Sequence, residues 1–160
     1  MPLLGPLSLK GRALRLLSGR EHSRAELERK LAAHEEEPGQ LARVLDELQA
    51  RDFINEQRVV DSVVHRRAGK LGALRLRQEM QAKGLDGEQV RAALAQLKPS
   101  ELERARQVWA RKFDAPPVDA QARGKQARFL AARGFDGEVI RRVLAGSKPD
   151  ERPATVPASA

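Results

Sequence analysis

One segment of twelve residues occurs twice in this chain, and the repeat limits the available folds more than any other feature. Residues 133–144 read RGFDGEVIRRVL and residues 83–94 read KGLDGEQVRAAL, so six of the twelve positions are identical. In each copy a glycine follows a basic residue at the end of a helical pattern, where a left-handed residue closes a helix. The aspartate two positions later suits the N-cap of a new helix. The repeat therefore predicts a helix, a glycine turn and a second helix.

Helical spacing extends along most of the remaining sequence. Residues 41–48 carry leucine and valine at the i, i+3, i+4, i+7 positions of an amphipathic helix. The valines of residues 59–64 come in pairs four apart, which favours a helix over a strand, and this helix is predicted to end at residues 70–72. Ser23 with Glu26, and Ser100 with Glu103, have the spacing of capping boxes.

These patterns predict an all-α protein of about nine helices. We expect an elongated tandem array of three three-helix units that are helix-turn-helix-like, with each unit packing on its neighbours. The predicted units are residues 8–51, 52–98 and 99–146. Residues 1–7 are predicted to be a disordered leader, and residues 147–160, which contain three prolines and no periodicity, a disordered tail.

The charge of the chain favours an acidic partner. The 160 residues carry a formal net charge of +8. Residues 99–148 hold eleven basic and six acidic side chains, whereas residues 8–51 hold nine and eight, so the positive field should be uneven. The chain has no cysteine, which excludes disulfides and thiol chemistry. No apolar run approaches the roughly 18 residues of a membrane-spanning helix. We therefore expect a cytoplasmic protein that does not associate with membranes.

No pattern in the sequence indicates catalysis, a cofactor or a metal site. His22, His34 and His65 lack the HxxxH or HExxH spacing of metal ligands. The segment GLDGEQ lacks the Lys-Ser/Thr of a phosphate-binding loop, and the helix junction already explains its glycines. The prediction is a protein that is not an enzyme and that needs no cofactor.

Three segments carry a resemblance to a known family. They are ALRLLSGREHSRAELERKL at residues 13–31, KLGALRLRQEMQAKGLD at residues 70–86, and RGF with the following EVIRRVL at residues 133–144. Together they resemble the RecX family, bacterial regulatory proteins that modulate the recombinase RecA. Two positions depart from the family pattern: residues 53–60 read FINEQRVV where acidic residues and an aromatic are usual, and Leu71 replaces a common tryptophan. Both positions look like packing sites.

The resemblance implies a partner and a mode of action. A RecX-like protein is not an enzyme; it would lodge in the groove of the RecA nucleoprotein filament and limit the growth or activity of that filament. We expect RecA to be the main partner, DNA phosphates to be a secondary contact, and the protein itself to be a monomer.

Basic side chains of the second and third units are the candidate contacts with that partner. Arg66 with Lys70, and Lys125 with Arg128, are predicted to share helical faces. We call the full set the predicted basic stripe, and it consists of Arg66, Arg67, Lys70, Arg75, Arg77, Arg123, Lys125, Arg128, Arg133 and Arg142. For any single member, a solvated helix face or an intrahelical pair is the competing interpretation. Five further residues carry the family signature and are predicted to be structural: Leu27, Leu31, Gly84, Gly134 and Phe135.

Two other functions remain open from the sequence. A sequence-specific helix-turn-helix regulator would place base-reading residues at the start of a recognition helix, whereas the starts DGEQV and DGEVI put acidic residues there. The low aromatic content, 3%, argues against stacking platforms for single strands. A helical scaffold for another protein is the third possibility.

Overall fold

The computed structural model describes residues 6–146, and in this range the chain is entirely helical. There are nine α-helices, two short 3-10 helices and no strand among the described residues. The α-helices are α1 Leu9–Gly19, α2 Arg24–Leu31, α3 Gln40–Ala50, α4 Glu56–Arg67, α5 Ala73–Ala82, α6 Glu88–Leu97, α7 Glu101–Lys112, α8 Ala120–Ala132 and α9 Gly137–Leu144. The prediction of an all-α protein with about nine helices is confirmed. Most of the predicted leader and the whole predicted tail lie outside the described residues.

Contacts divide the chain into two compact units, which are described separately. Unit one comprises Met1–Arg66 and Arg77–Ala93, and unit two comprises Arg67–Leu76 and Leu94–Ala160. The division falls within α5 and α6, so it does not follow the order of the helices along the chain. Both units contain helical segments that are distant in sequence.

Unit one has a core made mainly of leucine. Its central residues come from α1, α2, α3 and the turn after α3, and they are Leu9, Ala13, Leu27, Leu31, Leu41, Leu45, Leu48 and Ile54. The capping box predicted at the start of α2 is confirmed. The Ser23 hydroxyl accepts a hydrogen bond from the Glu26 amide, and the Ser23 amide donates to the Glu26 carboxylate, each over 3.1 Å. The cap thus satisfies two backbone groups where α2 packs into the core.

Glu26 also forms ion pairs with two basic side chains of unit one. Its carboxylate, which is buried, accepts hydrogen bonds from Arg20 over 2.7 Å and from Lys83 over 3.3 Å. Burial alone would raise the pKa of Glu26, but the hydrogen bonds from Arg20 and the Ser23 amide and the charge of Lys83 outweigh it and lower the pKa to about 2. The carboxylate is therefore ionised at neutral pH.

The neighbouring residue His22 contacts Arg20 and Lys30, and its imidazole ring is held in the neutral form. It is 2% exposed, its Nδ1 lies 3.1 Å from the Arg20 carbonyl oxygen, and its Nε2 lies 3.1 Å from the Lys30 ammonium. The carbonyl can only accept, so Nδ1 carries the proton and Nε2 accepts from Lys30. Burial lowers the pKa of His22, the charges of Arg20 and Lys30 lower it further, and the carbonyl and Glu26 act in the opposite direction.

The free energy of unfolding should consequently fall as the pH drops below about 7. The pKa of His22 in the folded chain lies below its ordinary value of 6.5, so the unfolded chain takes up the proton first and is favoured at lower pH. Urea unfolding at several pH values would measure this slope. We expect His22→Asn to reduce the slope, and His65→Asn, at an exposed position on α4, to retain it. A slope in His22→Asn equal to that of the wild type would contradict this explanation.

Unit two has a separate core around Phe135. The core residues are Ala105 and Val108 of α7, Leu130 of α8, Phe135 of the turn, and Ile140, Val143 and Leu144 of α9. Phe135 is 2% exposed and directly follows Gly134, which has the predicted left-handed conformation with φ 84°. Asp136 caps α9, since its carboxylate accepts a hydrogen bond from the Glu138 amide over 2.7 Å. The second copy of the repeat therefore forms the predicted helix, glycine turn and helix.

Two predictions of local structure were wrong. Helix α4 ends at Arg67, and residues 68–70 form a turn, so Lys70 does not share a helical face with Arg66. Ser100 does not cap α7: a 3-10 helix at Lys98–Ser100 leads directly into α7, and the Ser100 hydroxyl instead donates to the Leu97 carbonyl over 2.8 Å. The chain before α7 is already helical. Ser100 therefore lacks the extended backbone of an N-cap residue, and the predicted capping box does not form.

Candidate functional site

Unit two contains a cleft lined by six cations. The cleft has a volume of about 540 Å³, and we call it the basic cleft; its ten lining residues are Arg67, Lys70, Leu71, Arg75, Val108, Arg111, Lys112, Phe129, Ala132 and Arg133. None of these ten is acidic, and the four uncharged residues are all apolar. The cleft therefore combines concentrated positive charge with apolar lining residues.

Three segments of unit two form the walls of the cleft. The C-terminal half of α7 contributes Val108, Arg111 and Lys112, and the end of α8 contributes Phe129, Ala132 and Arg133. The third wall is the end of α4, the turn after it and the first residues of α5. These segments are far apart in sequence, so the cleft exists only when unit two is folded.

A glycine junction joins the third wall to the turn after α8. The Gly72 amide donates to the Arg133 carbonyl over 2.8 Å, and the Leu74 amide donates to the Gly134 carbonyl over 3.2 Å. A β-carbon on Gly72 would lie 2.4 Å from the Gly134 carbonyl oxygen, so the two backbones are too close for a side chain there. The junction fixes the backbone of Arg133, and that of Arg75 next to Leu74, on the two sides of the cleft.

Two buried polar residues of α7 hold the same wall. Glu101 is 7% exposed and accepts from the Ala73 amide over 3.3 Å, which satisfies a free amide at the start of α5. Arg104 is 9% exposed and donates from one guanidinium nitrogen to the carbonyls of Ala68 and Leu71, each over 2.7 Å. Burial lowers the pKa of Arg104, and the charge of Glu101 acts against this shift. These side chains position the turn that carries Lys70 and Leu71.

Aromatic contacts hold two of the cations of the cleft. The Arg133 guanidinium lies over the Phe129 ring at 4.1 Å from its centroid, and the Lys112 ammonium lies 5.9 Å from the same centroid. Phe113 meets Phe129 edge to face, with the centroids 5.2 Å apart. Arg111 donates to the Gly69 carbonyl at a long 3.5 Å. Phe129 thus orders cationic groups at one end of the cleft.

The structure brings together four members of the predicted basic stripe. Arg67, Lys70, Arg75 and Arg133 line the basic cleft. Six members do not line it: Arg66, Arg77, Arg123, Lys125, Arg128 and Arg142, all of which are exposed. Arg66 and Arg77 belong to unit one, Arg123, Lys125 and Arg128 lie on α8, and Arg142 lies on α9. Lys125 and Arg128 are three residues apart on that helix, as predicted.

Two cations of the cleft were absent from the prediction. Arg111 and Lys112 lie at the end of α7 and line the cleft. Basic residues are favourable at the negative end of any helix, so their presence there does not by itself indicate a binding site. One signal was available: Arg111 follows Val108 by three positions on a helix with a strong apolar face, so it borders that face.

The described residues contain no group of three or more His, Asp or Glu side chains that could hold a metal ion. Within the same range, residues 6–146, no helix is long and apolar enough to cross a membrane. The guanidinium and ammonium groups that line the basic cleft are donors that can bind an anionic group.

These observations define a class: an all-α protein that repeats a helix, glycine turn and helix, and that has a cleft lined by cations in its second compact unit. Residues 10–48 match the first three-helix domain of RecX, residues 55–94 the second and residues 100–144 the third. The chain belongs to the RecX family of regulatory proteins.

Individual relatives agree with this assignment. The regulatory protein RecX of Leptothrix cholodnii is 56% identical over 124 residues, covering 78% of this chain and 79% of the relative. That of Ralstonia nicotianae is 48% identical over 127 residues, covering 79% and 80%. The crystal structure of RecX from Lactobacillus salivarius has a TM-score of 0.69 at 20% identity, covering 86% of this chain and 92% of that one. At this identity the structural match establishes the fold.

Proposed function

We propose that this chain binds the RecA nucleoprotein filament and limits filament extension, ATP hydrolysis and DNA strand exchange in recombination and repair. The observation that carries the proposal is the presence of all three RecX domains, in order, along residues 10–144. In this proposal the protein acts as a cytoplasmic monomer without catalysis or a cofactor. It acts by binding in the groove of the filament.

The distribution of charge supports the same proposal. RecA filaments contain DNA, and a protein that neutralises phosphates gains affinity by releasing counterions. The net charge of +8 suits such an acidic assembly. We propose that the predicted basic stripe supplies the contacts, with RecA as the main partner and DNA phosphates as the secondary one.

The alternative of a sequence-specific DNA-binding regulator has less support. Helix α6 begins with Glu88, and Glu138 is the second residue of α9; each carboxylate pairs with an arginine three residues later, Arg91 or Arg141. An acidic residue at a helix start repels the phosphates that a recognition helix must approach. Salt titration separates the two functions, because generic phosphate contact weakens steeply with salt and a preferred site retains its selectivity.

RecA-driven strand exchange should slow at less than one molecule of this protein per RecA subunit. The expected cause is that a filament grows at its ends and that its groove runs past many subunits. A few bound molecules therefore affect many subunits. Strand exchange and ATP hydrolysis would be measured with the cognate RecA on the same DNA. Spontaneous annealing of complementary strands without RecA is the control and should not change. Unchanged strand exchange at equimolar protein would refute the proposal.

A further inference from the structure

The basic cleft has a composition that a DNA-binding groove does not need. Its lining combines four apolar residues, Leu71, Val108, Phe129 and Ala132, with six cations. A volume of about 540 Å³ lies within the roughly 300 to 1,000 Å³ of ordinary ligand pockets. A site of this form can bury an apolar group and surround it with charge-assisted hydrogen bonds.

The position of Arg133 argues against an unpaired base as the apolar group. A base stacks on the face of an aromatic ring, and the Arg133 guanidinium lies over the Phe129 ring at 4.1 Å from its centroid. The Lys112 ammonium is also near this ring, and Phe113 packs against it edge to face. Phe129 therefore orders cations in the cleft, and a base would have to displace them.

We propose that the basic cleft binds an acidic protein segment in which carboxylates flank an apolar side chain. Four arginines line the cleft, and their planar guanidinium groups match the two oxygens of a carboxylate. The apolar side chain of the segment would lie against Leu71, Val108 and Ala132. The proposal rests on the proposed function, because it assigns the cleft to a protein component of the filament and leaves the phosphates to cations outside it.

The glycine junction fixes the walls of the cleft before a ligand binds. Gly72 and Gly134 join the two walls that carry Arg75 and Arg133 through backbone hydrogen bonds of 2.8 and 3.2 Å. The Arg104 guanidinium donates a hydrogen bond to the Leu71 carbonyl over 2.7 Å. The cations are thus arranged on a fixed backbone before any ligand arrives, which lowers the entropy lost on binding.

A set of short peptides tests the chemistry of the ligand. The probe is a fluorescein-labelled peptide, Asp-Glu-Leu-Phe-Glu-Asp, with blocked ends, and its binding to the full chain is measured by fluorescence anisotropy. Replacing the four acids by Asn and Gln should weaken binding by at least about tenfold, because charge-assisted hydrogen bonds are lost. Replacing Leu-Phe by Ser-Ser, with the acids kept, should also weaken it by roughly tenfold. Equal binding of all three peptides would overturn the proposal.

Two double variants locate the site. Arg75→Gln with Lys112→Gln removes two cations from the cleft, and Arg43→Gln with Lys98→Gln removes two exposed cations that neither line it nor belong to the predicted basic stripe. The net charges of these variants are equal, and circular dichroism checks that both are folded. The first should bind the acidic peptide at least about tenfold more weakly and the second should bind it like the wild type. Equal losses in both variants would show an unspecific charge effect and overturn the proposal.

An oligothymidylate and the strand-exchange assay separate the remaining outcomes. If the cleft variant loses affinity for the oligothymidylate while the wild type ignores the acidic peptide, the cleft binds phosphodiesters and the proposal is wrong. If the wild type slows strand exchange but does not bind the peptide, only the proposed ligand fails. If the wild type has no effect on strand exchange, the proposed function fails, whatever the peptide does.

Discussion

Gly134→Ala should lower the free energy of unfolding of unit two by about 2 to 5 kcal/mol. About 1 to 2 kcal/mol comes from a β-carbon on a left-handed residue, and about 1 to 3 kcal/mol from steric overlap. The φ of Gly134 is 84°, and its added β-carbon would lie 2.3 Å from the Arg75 nitrogen and 2.8 Å from the Arg75 Cα. Backbone atoms cannot rotate away as the end of a side chain can, so the junction with α5 has to open.

Gly137→Ala provides the matched control, and urea unfolding the measurement. Gly137 lies three residues further along, at the start of α9, with no other heavy atom within 4 Å of an added β-carbon. Its φ is not positive, so alanine should leave stability unchanged or raise it by up to about 1 kcal/mol. Gly134→Ala should also reduce binding to the basic cleft. If the two variants unfold at the same urea concentration, the close approach at Gly134 is not a constraint.

Phe135→Ala should destabilise the protein by about 3 to 5 kcal/mol, which is typical of a fully buried phenylalanine. Its ring is 2% exposed and belongs to the core of unit two with Leu130 and Leu144. The substitution removes buried apolar surface and leaves a cavity between α7, α8 and α9. Thermal or urea unfolding followed by circular dichroism would measure the change.

Phe53→Ala makes the same chemical change where the ring is 46% exposed. A substitution at the surface usually changes stability by less than about 0.5 kcal/mol, and the partial burial of Phe53 should add a little to that. A loss in Phe53→Ala as large as that in Phe135→Ala would show that burial does not determine the effect. This pair also tests whether Phe135 is structural, as its place in the repeat predicts.

The helices could be predicted from the sequence because their signals are local. The spacing of apolar residues, the N-cap at Asp136 and the left-handed glycines at 84 and 134 each depend on a few adjacent residues. Where the local signal was ambiguous, the prediction was wrong. Ser100 has the spacing of a capping box, but the chain before it is already helical, and its hydroxyl bonds back to Leu97.

The site could be predicted only in part, because it is assembled from distant segments. The cations Arg75 and Arg133 were expected to be partner contacts, but nothing local indicates that a pair of glycines brings their backbones together. Arg111 and Lys112 were missed because basic residues at the end of a helix are already explained by its negative end. Arg104 was missed although it occupies the apolar face of α7 four positions before Val108, a place where an arginine indicates a buried hydrogen-bonded role.

The repeat itself has two consequences in the folded chain. Both copies place a glycine with positive φ before a buried apolar residue, Leu85 in the first and Phe135 in the second. Only the second copy contributes to the basic cleft, where the residue before the glycine is Arg133. Its counterpart Lys83 instead donates to the buried Glu26 in unit one. The same local motif therefore contributes a basic residue to a buried ion pair in unit one and to the candidate binding cleft in unit two.

Sedimentation of the labelled protein with RecA filaments tests the central claim most directly. RecA would be assembled on single-stranded DNA with a nonhydrolysable ATP analogue, and the same DNA without RecA is the comparison. We expect the protein to sediment with the filament at salt concentrations that release it from the DNA alone, because the proposed main contact is RecA. Equal retention by the filament and by naked DNA at every salt concentration would contradict the account.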